Sequence, residues 1–211
     1  KELGLEVIIT DHHDIQTNEE TGEDLMPPAD VIVNPKRRDS RYPWPEICGA
    51  MVAFKLVGAL YEAYGISRKE WLERLELAAI ATVGDVMKLK DENRIVVKEG
   101  LKRLAVTGNP GLKSLIYKNA LDPANISAYH IGFVLGPCLN ASGRLQTTRL
   151  AMELLLCEDT ARADSIAEEL KELKQGRKAY PKEVEEAKYE LRTRLQERCG
   201  RLVPGQILAD L

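Results

Sequence analysis

Two short apolar runs near the start of the chain have the pattern of buried strands. Residues 5–10 are rich in β-branched side chains and end at charged residues, and residues 31–33 lie between Pro28 and Asn34. Apolar runs bounded in this way predict strands. Polar residues directly after a strand suit the ligand-binding edge of an α/β sheet. The pattern therefore predicts an α/β fold whose candidate site lies just after the first strand.

From residue 47 onward, apolar positions recur at helical spacing. Residues 47–64 are almost all apolar or small and end at Gly65, which predicts a helix buried on most sides. Ser67 opens a capping-box pattern, which predicts a second helix that leads to Asp85. Further helices are predicted at residues 93–104, 110–119 and 127–135. The middle of the chain is thus predicted to be largely helical.

The last part of the chain is highly charged and carries one apolar stripe. Between residues 160 and 198 the apolar positions recur at helical spacing, which predicts one long amphipathic helix. Gly176 and Pro181 interrupt it, and because an interior Pro costs about 3 kcal/mol we expect a kink or a break there. The pattern predicts a globular part at residues 1–158, a connecting helix at 159–200 and a following domain or tail at 201–211.

Composition and charge narrow the function classes. The chain has 211 residues, of which 44% are apolar and 30% are charged, as in ordinary globular proteins. No apolar run approaches the roughly 20 residues of a membrane span. A net charge of −3 argues against a histone-like nucleic-acid binder, so any DNA contact must be local. Four widely separated cysteines indicate reduced thiols in a cytoplasmic protein. The first residues carry no initiator Met and no signal segment, so we expect the chain to begin inside a larger polypeptide.

The triplet Asp11-His12-His13 is the strongest candidate for chemistry. It follows the first predicted strand directly, and the chain contains only 3 His residues. Imidazole and carboxylate groups are suitable ligands for Mn²⁺, Mg²⁺ or Zn²⁺. The alternative is a solvated polar turn after a strand, and spacing alone does not decide between the two.

Asp85 is the second candidate, because it lies in the otherwise apolar stretch of residues 81–87. An unpaired charge in such surroundings would be costly, so this carboxylate needs a partner. It is either a cation ligand or a cap of backbone amides beside Gly84. The sequence leaves both interpretations open.

Residues 136–144 form the third candidate, a loop rich in small residues that ends at Arg144. Small residues allow close backbone approach, and the guanidinium group can hold a phosphate through two hydrogen bonds. The alternative is a plain connection between helices with Arg144 in solvent. The basic run at residues 36–41 has the same two interpretations, a phosphate contact or a solvated surface.

These candidates belong to a longer ordered set of motifs. After Asp11-His12-His13 the set continues with Asn34-Pro35, Tyr42-Pro43, residues 48–55 (CGAMVAFK), residues 82–86 (TVGDV), Glu92-Asn93-Arg94 and residues 140–144 (NASGR). In order and separation the set resembles the RecJ-type single-strand-specific exonucleases of the DHH phosphoesterase superfamily. The resemblance runs from about residue 6 to residue 159 and more loosely beyond. The Asn-Ala-x-Gly-Arg motif separates this type from the smaller DHH phosphoesterases.

The resemblance implies a fold. It implies an α/β architecture in which part of a DHH-type, Rossmann-like parallel sheet is followed by a mostly helical region and a long C-terminal linker helix. Residues 1–158 would then be the C-terminal portion of the DHH catalytic domain. Residues 159–200 would be the linker.

The resemblance also implies roles for the candidate residues. DHH enzymes use two divalent cations, Mn²⁺ or Mg²⁺, to activate water for attack on phosphorus. By motif position His12 and Asp85 would bind metal, Asp11 would orient the cluster and His13 would face the scissile phosphate. A neighbouring phosphate would be held by Arg144, Asn140 and Gly143.

The function implied is 5′-to-3′ hydrolysis of phosphodiester bonds in single-stranded DNA, in recombination and repair, in the cytoplasm and without membrane association. Two alternatives are a DHH phosphoesterase for short oligonucleotides or cyclic dinucleotides, and a non-catalytic DHH-type DNA-binding scaffold. The family's Asp-x-Asp motif and a further carboxylate, expected upstream of Asp11, are not in the sequence. Because two metals need several carboxylates, we expect the 211-residue chain alone to bind catalytic metal weakly and to have little nuclease activity.

Overall fold

The computed structural model describes residues 4–141 and 146–178. Within these ranges two strands precede a series of helices. The strands are β1 (Ile8–Thr10) and β2 (Val31–Val33). The helices are α1 (Gly49–Ala63), α2 (Arg68–Leu72), α3 (Leu75–Gly84), α4 (Asp91–Leu104), α5 (Pro110–Lys118), a 3₁₀ turn (Pro123–Asn125), α6 (Ala128–His130), a π-helical turn (Ile131–Leu135), α7 (Gly136–Leu139), α8 (Gln146–Leu156) and α9 (Thr160–Lys178).

The two strands form a small parallel sheet. Ile8 pairs with Val31 and Thr10 with Val33, and the ladder continues where the backbone N–H of Asp11 donates to the Val33 carbonyl at 3.0 Å. Because the strands are parallel, their carboxyl ends lie at the same edge of the sheet. The residues after β1 and the residues after β2 therefore meet, which is the geometry that positions the candidate site.

The described core consists of two apolar clusters. The sheet-side cluster lies under α1, α3 and α4 and contains Ile47, Cys48, Met51, Val52, Phe54, Leu75, Ala78, Ala79 and Val96. The helical cluster is built mainly from α5, the π-helical turn, α8 and α9 and contains Ile80, Leu104, Leu112, Leu115, Ile116, Ile131, Leu135, Cys138, Ala151, Leu154, Ala163, Ile166, Ala167 and Leu170. Helix α3 contributes to both clusters, so the helix that leads to Asp85 is held from two sides.

Close packing of α3 on α4 depends on Gly100. A Cβ atom at this position would lie 2.3 Å from the Cβ of Ala79 and 3.0 Å from the carbonyl oxygen of Leu75. No larger residue fits without moving one of the two helices. Gly100 therefore fixes the position of α3.

Helix α3 ends in a Schellman motif that holds Asp85 just beyond its last turn. The N–H of Val86 donates to the Val83 carbonyl and the N–H of Met87 donates to the Thr82 carbonyl, both at 3.1 Å. Val86 takes the left-handed position with φ of 54°, where α1 has Gly65 with φ of 67°. A β-branched residue is strained in this conformation. Backbone strain of this kind, next to Asp85, is typical of functional sites.

Most predicted elements are present, and several differ in extent. The prediction that the strands and α1 are buried on most sides is wrong, because Ile8 and Val31 are 64% and 48% exposed and the buried residues of α1 are Met51, Val52 and Phe54. The strand predicted at residues 5–10 is limited to β1, and the helix predicted from Ser67 to Asp85 is broken between α2 and α3. At the break the backbone forms a tighter turn, in which the N–H of Arg74 donates to the carbonyl of Trp71, three residues earlier, at 3.1 Å. Trp71 is held on α1 through its indole N–H, which donates to the Phe54 carbonyl at 2.7 Å. Helix α8 is a further difference, since the sequence indicates no helix between residues 144 and 159. The helix predicted at 127–135 includes the π-helical turn and continues as α7 to Leu139.

The last helix is described only in part. Helix α9 runs to Lys178, and its residues Ala163, Ile166, Ala167 and Leu170 are buried in the helical cluster. The predicted break between Gly176 and Pro181 lies mostly outside the described residues, as does the predicted domain or tail at 201–211. In the described part of the chain, no helix has both the length and the apolar character needed to cross a bilayer.

Glu76 of α3 gives the fold a pH dependence that can be measured. Burial raises the pKa of this carboxyl above 4.5, and the hydrogen bond from Thr107 and the charge of Arg103 oppose that rise only in part. Below pH 4.5 both the folded and the unfolded chain keep the proton. As the pH rises further, the unfolded chain releases its proton first, so the wild-type protein loses stability until the folded carboxyl ionises. In urea titrations at several pH values, Glu76→Gln should therefore gain stability relative to wild type as the pH rises from 4.5 toward neutrality.

The control for this prediction is Glu99→Gln. The exposed Glu99 is hydrogen-bonded to Lys102, which lowers the pKa of its carboxyl. Glu99→Gln should therefore lose stability relative to wild type as the pH rises through the acid range below 4.5, and the difference should stay nearly constant from pH 4.5 to neutrality. A stability difference for Glu76→Gln that does not change with pH would contradict the assignment.

Candidate metal centre

Asp11 organises the turn after β1. One of its carboxylate oxygens, Oδ1, accepts the backbone N–H of His12 at 2.7 Å and that of His13 at 3.3 Å. The same oxygen is joined to Nδ1 of the His13 ring at 2.7 Å. The hydrogen bond with His13 is the largest cause of a lowered pKa at Asp11, so this carboxyl is held as the carboxylate. Asp11 thereby fixes both the backbone turn and the orientation of the His13 ring.

Asn34, which follows β2, holds this turn from the neighbouring strand. Its side-chain amide donates to the carbonyl of His13 at 3.0 Å, and its side-chain oxygen accepts the N–H of Lys36 at 2.9 Å. Asn34 is buried. In the sequence, Asn34-Pro35 stood out only as part of the family pattern. Its position directly after a strand was the signal that it would lie at the site.

His12 and Asp85 converge, although they are more than seventy positions apart in the chain. Nε2 of His12 lies 3.8 Å from Oδ2 of Asp85, and the side chains are 18% and 49% exposed. His12 comes from the edge of the sheet and Asp85 from the end of α3. The partner that Asp85 was predicted to need is thus a histidine that is itself a potential metal ligand.

The start of α1 packs against His12, in addition to the sheet edge and the end of α3. The backbone of Gly49 lies against the His12 ring, so that a Cβ at Gly49 would be 3.2 Å from Cδ2 and 3.6 Å from Nε2. Cys48, just before the helix, contacts the hydroxyl of Thr82 with its sulfur at 3.6 Å, and that hydroxyl donates to the Ala78 carbonyl at 2.7 Å. The sheet edge, α1 and α3 are therefore locked together around His12.

The donor set fits a divalent cation. The possible ligand atoms of Asp11, His12 and His13 lie within 4.8 Å of one another, and Asp85 extends the group through His12. Since Oδ1 of Asp11 already takes part in three hydrogen bonds, the pair of His12 and Asp85 is the better candidate for direct binding. Imidazole nitrogen and carboxylate oxygen together suit Mn²⁺ and related ions. The assignment of these residues as metal ligands stays a prediction.

Several other residues of the family pattern tie together the segments around α1, α3 and α4. Glu92 accepts hydrogen bonds from the Tyr42 hydroxyl and from the Lys55 ammonium group. Asn93 is fully buried and donates from its side-chain amide to the carbonyl of Glu46 at 2.6 Å and to that of Lys88 at 3.0 Å. These bonds tie the segment before α1 to the segment between α3 and α4. Glu92 and Asn93 thus hold the scaffold around the centre.

The third candidate is described only at its first residues. Asn140 lies at the end of α7, where its backbone N–H donates to the Gly136 carbonyl at 2.8 Å, and it is exposed. Gly143 and Arg144 lie outside the described residues. The predicted phosphate contacts of Asn140, Gly143 and Arg144 therefore stay predictions.

The chain is similar to known proteins in both sequence and structure. The chain is 36% identical over 215 aligned positions to the single-stranded-DNA-specific exonuclease RecJ of Salmonella typhimurium, and 42% identical over 188 positions to that of Bacillus subtilis. These alignments cover 97% and 89% of the chain. In structure it is similar to RecJ from Thermus thermophilus in complex with Mn²⁺, with a TM-score of 0.70, 32% identity and 94% of the chain covered. The chain is a relative of RecJ.

This RecJ relative spans 36% of the length of the Salmonella protein and 22% of that of the Bacillus protein. It covers 27% of the Thermus chain and 45% of a second solved structure, exonuclease RecJ bound to manganese, which it matches with a TM-score of 0.69 and 32% identity. No protein-family model matches the chain. The resemblance seen in the motifs is confirmed, and so is the α/β fold with a small parallel sheet and mostly helical content.

Gly49 offers a test of how tightly the centre is built. Gly49→Ala should displace the His12 ring by a few tenths of an ångström, because its new Cβ would lie 3.2 Å from Cδ2. We expect weaker Mn²⁺ binding by the full-length protein, about 10- to 100-fold in calorimetric titrations, as for other groups that orient a metal ligand. Gly84→Ala is the matched control, since a Cβ there meets nothing within 4 Å although Asp85 is adjacent. Equal Mn²⁺ affinity of the two variants would contradict the packing argument.

Proposed function

We propose that this chain is part of a divalent-metal-dependent exonuclease that hydrolyses phosphodiester bonds of single-stranded DNA. The observation that carries the proposal is the approach of His12 to Asp85 at 3.8 Å, beside the hydrogen-bonded pair of Asp11 and His13. It is supported by similarity to proteins named single-stranded-DNA-specific exonuclease RecJ and to RecJ structures in complex with Mn²⁺ or Mg²⁺. We further propose 5′-to-3′ polarity and a role in recombination and repair in the cytoplasm.

His12 and Asp85 would hold metal in this enzyme, with Mn²⁺ or Mg²⁺ as the ion and two ions in the complete site. A bound divalent cation polarises the phosphoryl oxygens and makes a bound water acidic enough to attack phosphorus at neutral pH. His12 suits this role because its ring is mostly buried and packed against Gly49, so its orientation is set before metal arrives. Asp85 is half exposed, which leaves the open side of the centre accessible to a DNA strand.

Asp11 and His13 would act on the substrate side of the centre. Since Nδ1 of His13 is engaged by Asp11, the other ring nitrogen, Nε2, is left for the substrate. In the protonated ring, where both nitrogens donate, Nε2 would donate to an oxygen of the scissile phosphate. The His13 side chain is 77% exposed, as required of a group that meets a macromolecular substrate. We propose that Asn140, with Gly143 and Arg144 beyond it, holds a neighbouring phosphate of the strand.

The experiment that tests the proposal compares the full-length protein with the 211-residue chain on end-labelled single-stranded DNA. Within the described residues, no second group of three His, Cys, Asp or Glu has ligand atoms as close together. We therefore expect Mn²⁺-dependent nucleotide release from the 5′ end by the full-length protein and only background release by the chain alone. Robust turnover by the chain would contradict the ligand argument. A full-length protein inactive with both Mn²⁺ and Mg²⁺ would contradict the proposed function.

A further inference from the structure

Two exposed aromatic side chains, one on α6 and one on the π-helical turn, lie stacked on the surface. The ring centroids of Tyr129 and Phe133 are 4.8 Å apart with an angle of 29° between the ring planes. The side chains are 63% and 66% exposed. Large aromatic residues usually bury most of their surface, so an exposed stacked pair indicates a surface that meets a ligand.

The backbone beneath the pair departs from a regular α-helix. Pro137 has no N–H to donate to the carbonyl of Phe133, four residues earlier, and the helix widens into the π-helical turn, where the Gly136 N–H bonds to the Ile131 carbonyl. A Cβ at Gly136 would lie 2.9 Å from that carbonyl oxygen, so the wider turn needs glycine there. π-Helical turns are frequent at functional sites.

The pair is held on a rigid base. Ile131 and Leu135 of the same turn are fully buried in the helical cluster. Nδ1 of His130 accepts the backbone N–H of Ser127 at 3.1 Å, and its ring meets Tyr129 edge-on at 5.7 Å. Rigid aromatic groups lose little conformational entropy when a ligand binds.

The segment that carries this surface packs against the end of α3, which leads to Asp85. Gly132, between the two aromatic residues, packs on α3, where its Cβ would lie 3.6 Å from the Cγ1 of Val83. Val83 precedes Asp85 by two residues, and Asn140 follows at the end of the same helical segment. A strand whose phosphate reaches Asp85 would therefore have neighbouring bases near the aromatic pair.

We propose that Tyr129 and Phe133 form a stacking surface for nucleobases of the single-stranded DNA substrate. The inference rests on the proposed function and adds a base-binding site to it. With a net charge of −3, the chain needs local contacts to hold a polyanion, and stacking provides a contact that does not depend on charge or base sequence. In a duplex the bases are already stacked on each other, so this surface selects for single strands.

The test is fluorescence anisotropy with the full-length protein in EDTA, so that hydrolysis is prevented. The probes are a labelled oligothymidylate and a fully abasic strand of the same length, which keeps the phosphates and lacks the bases. Phe133→Ala and Tyr129→Ala should each weaken oligothymidylate binding by about 5- to 150-fold, the range for loss of one stacked base. Binding of the abasic strand should not change. Phe133→Tyr and Tyr129→Phe should restore oligothymidylate binding.

The control variant is Tyr117→Ala, which removes an aromatic side chain that is also well exposed but lies on α5. It should change binding of neither probe. Equal losses for the two probes, or no loss for either, would overturn the proposal, as would a lowered melting temperature of Phe133→Ala that accounts for its binding loss. If Tyr129 and Phe133 do not bind bases, the wild-type protein should still hydrolyse single-stranded DNA in the presence of Mn²⁺. If the proposed function is wrong, the wild-type protein should show no such hydrolysis.

Discussion

His12→Ala and Asp85→Asn are each expected to reduce Mn²⁺-dependent degradation of single-stranded DNA by the full-length protein more than about 100-fold. Groups that merely orient a metal ligand cost about 10- to 100-fold when they are removed, and a direct ligand costs more. The two side chains lie 3.8 Å apart at the edge of the sheet and share one centre. The double variant should therefore lose little beyond either single variant, because residues that act as a unit are not additive.

The matched control is Asp14→Asn, which removes a carboxylate from the same turn. Asp14 is almost fully exposed and is paired with Lys36, away from the pair formed by His12 and Asp85. Its activity should stay close to that of wild type. Initial rates measured over a range of Mn²⁺ concentrations distinguish weaker metal binding from a general loss of folding. Near-wild-type rates for Asp85→Asn at low Mn²⁺ would contradict its assignment as a ligand.

Gly100→Val should destabilise the protein by about 3 kcal/mol. Its Cβ would meet the Cβ of Ala79 at 2.3 Å and the carbonyl oxygen of Leu75 at 3.0 Å, so α3 and α4 would have to separate. For a chain of this size, the loss corresponds to a fall of roughly 6–12 °C in melting temperature. Since α3 leads to Asp85, activity of the surviving folded protein should fall as well.

Gly108→Val is the control for this prediction, because a Cβ at Gly108 meets nothing within 4 Å. Thermal unfolding followed by circular dichroism should place this control within about 1 kcal/mol of wild type, as for most surface substitutions. If the two valine variants unfold at the same temperature, the helices do not pack at Gly100 as described.

Some of the fold follows from local sequence patterns. Helices α1, α4 and α5 lie close to their predicted positions, because their starts and ends carry local signals such as Pro110 at the first turn and Gly65 after the last. Helix α3 ends without such a signal, since Val86 takes the position that glycine takes after α1. The break between α2 and α3 has no signal either, because it accompanies the packing of Trp71 on α1, which is a tertiary contact.

The residues of the candidate site could be predicted from the sequence, but the distances between them could not. Asp11, His12 and Asp85 were identified from their places in a family pattern, whereas the distance between the last two depends on how α3 packs against the sheet. The role of Asn34 as a bridge between strands became visible only when β1 and β2 were seen to pair. The aromatic pair is not evident from the sequence because apolar residues occur on both faces of this segment, so the pattern does not show that Ile131 and Leu135 are buried while Tyr129 and Phe133 are exposed.

Anomalous X-ray diffraction from crystals of the full-length protein soaked in Mn²⁺ would locate the metal relative to His12 and Asp85. We expect a manganese peak within bonding distance, about 2.0–2.6 Å, of both Nε2 of His12 and a carboxylate oxygen of Asp85. His13 should stay hydrogen-bonded to Asp11 with its other ring nitrogen facing the open side. Manganese bound elsewhere, with neither His12 nor Asp85 within bonding distance, would contradict their assignment as metal ligands.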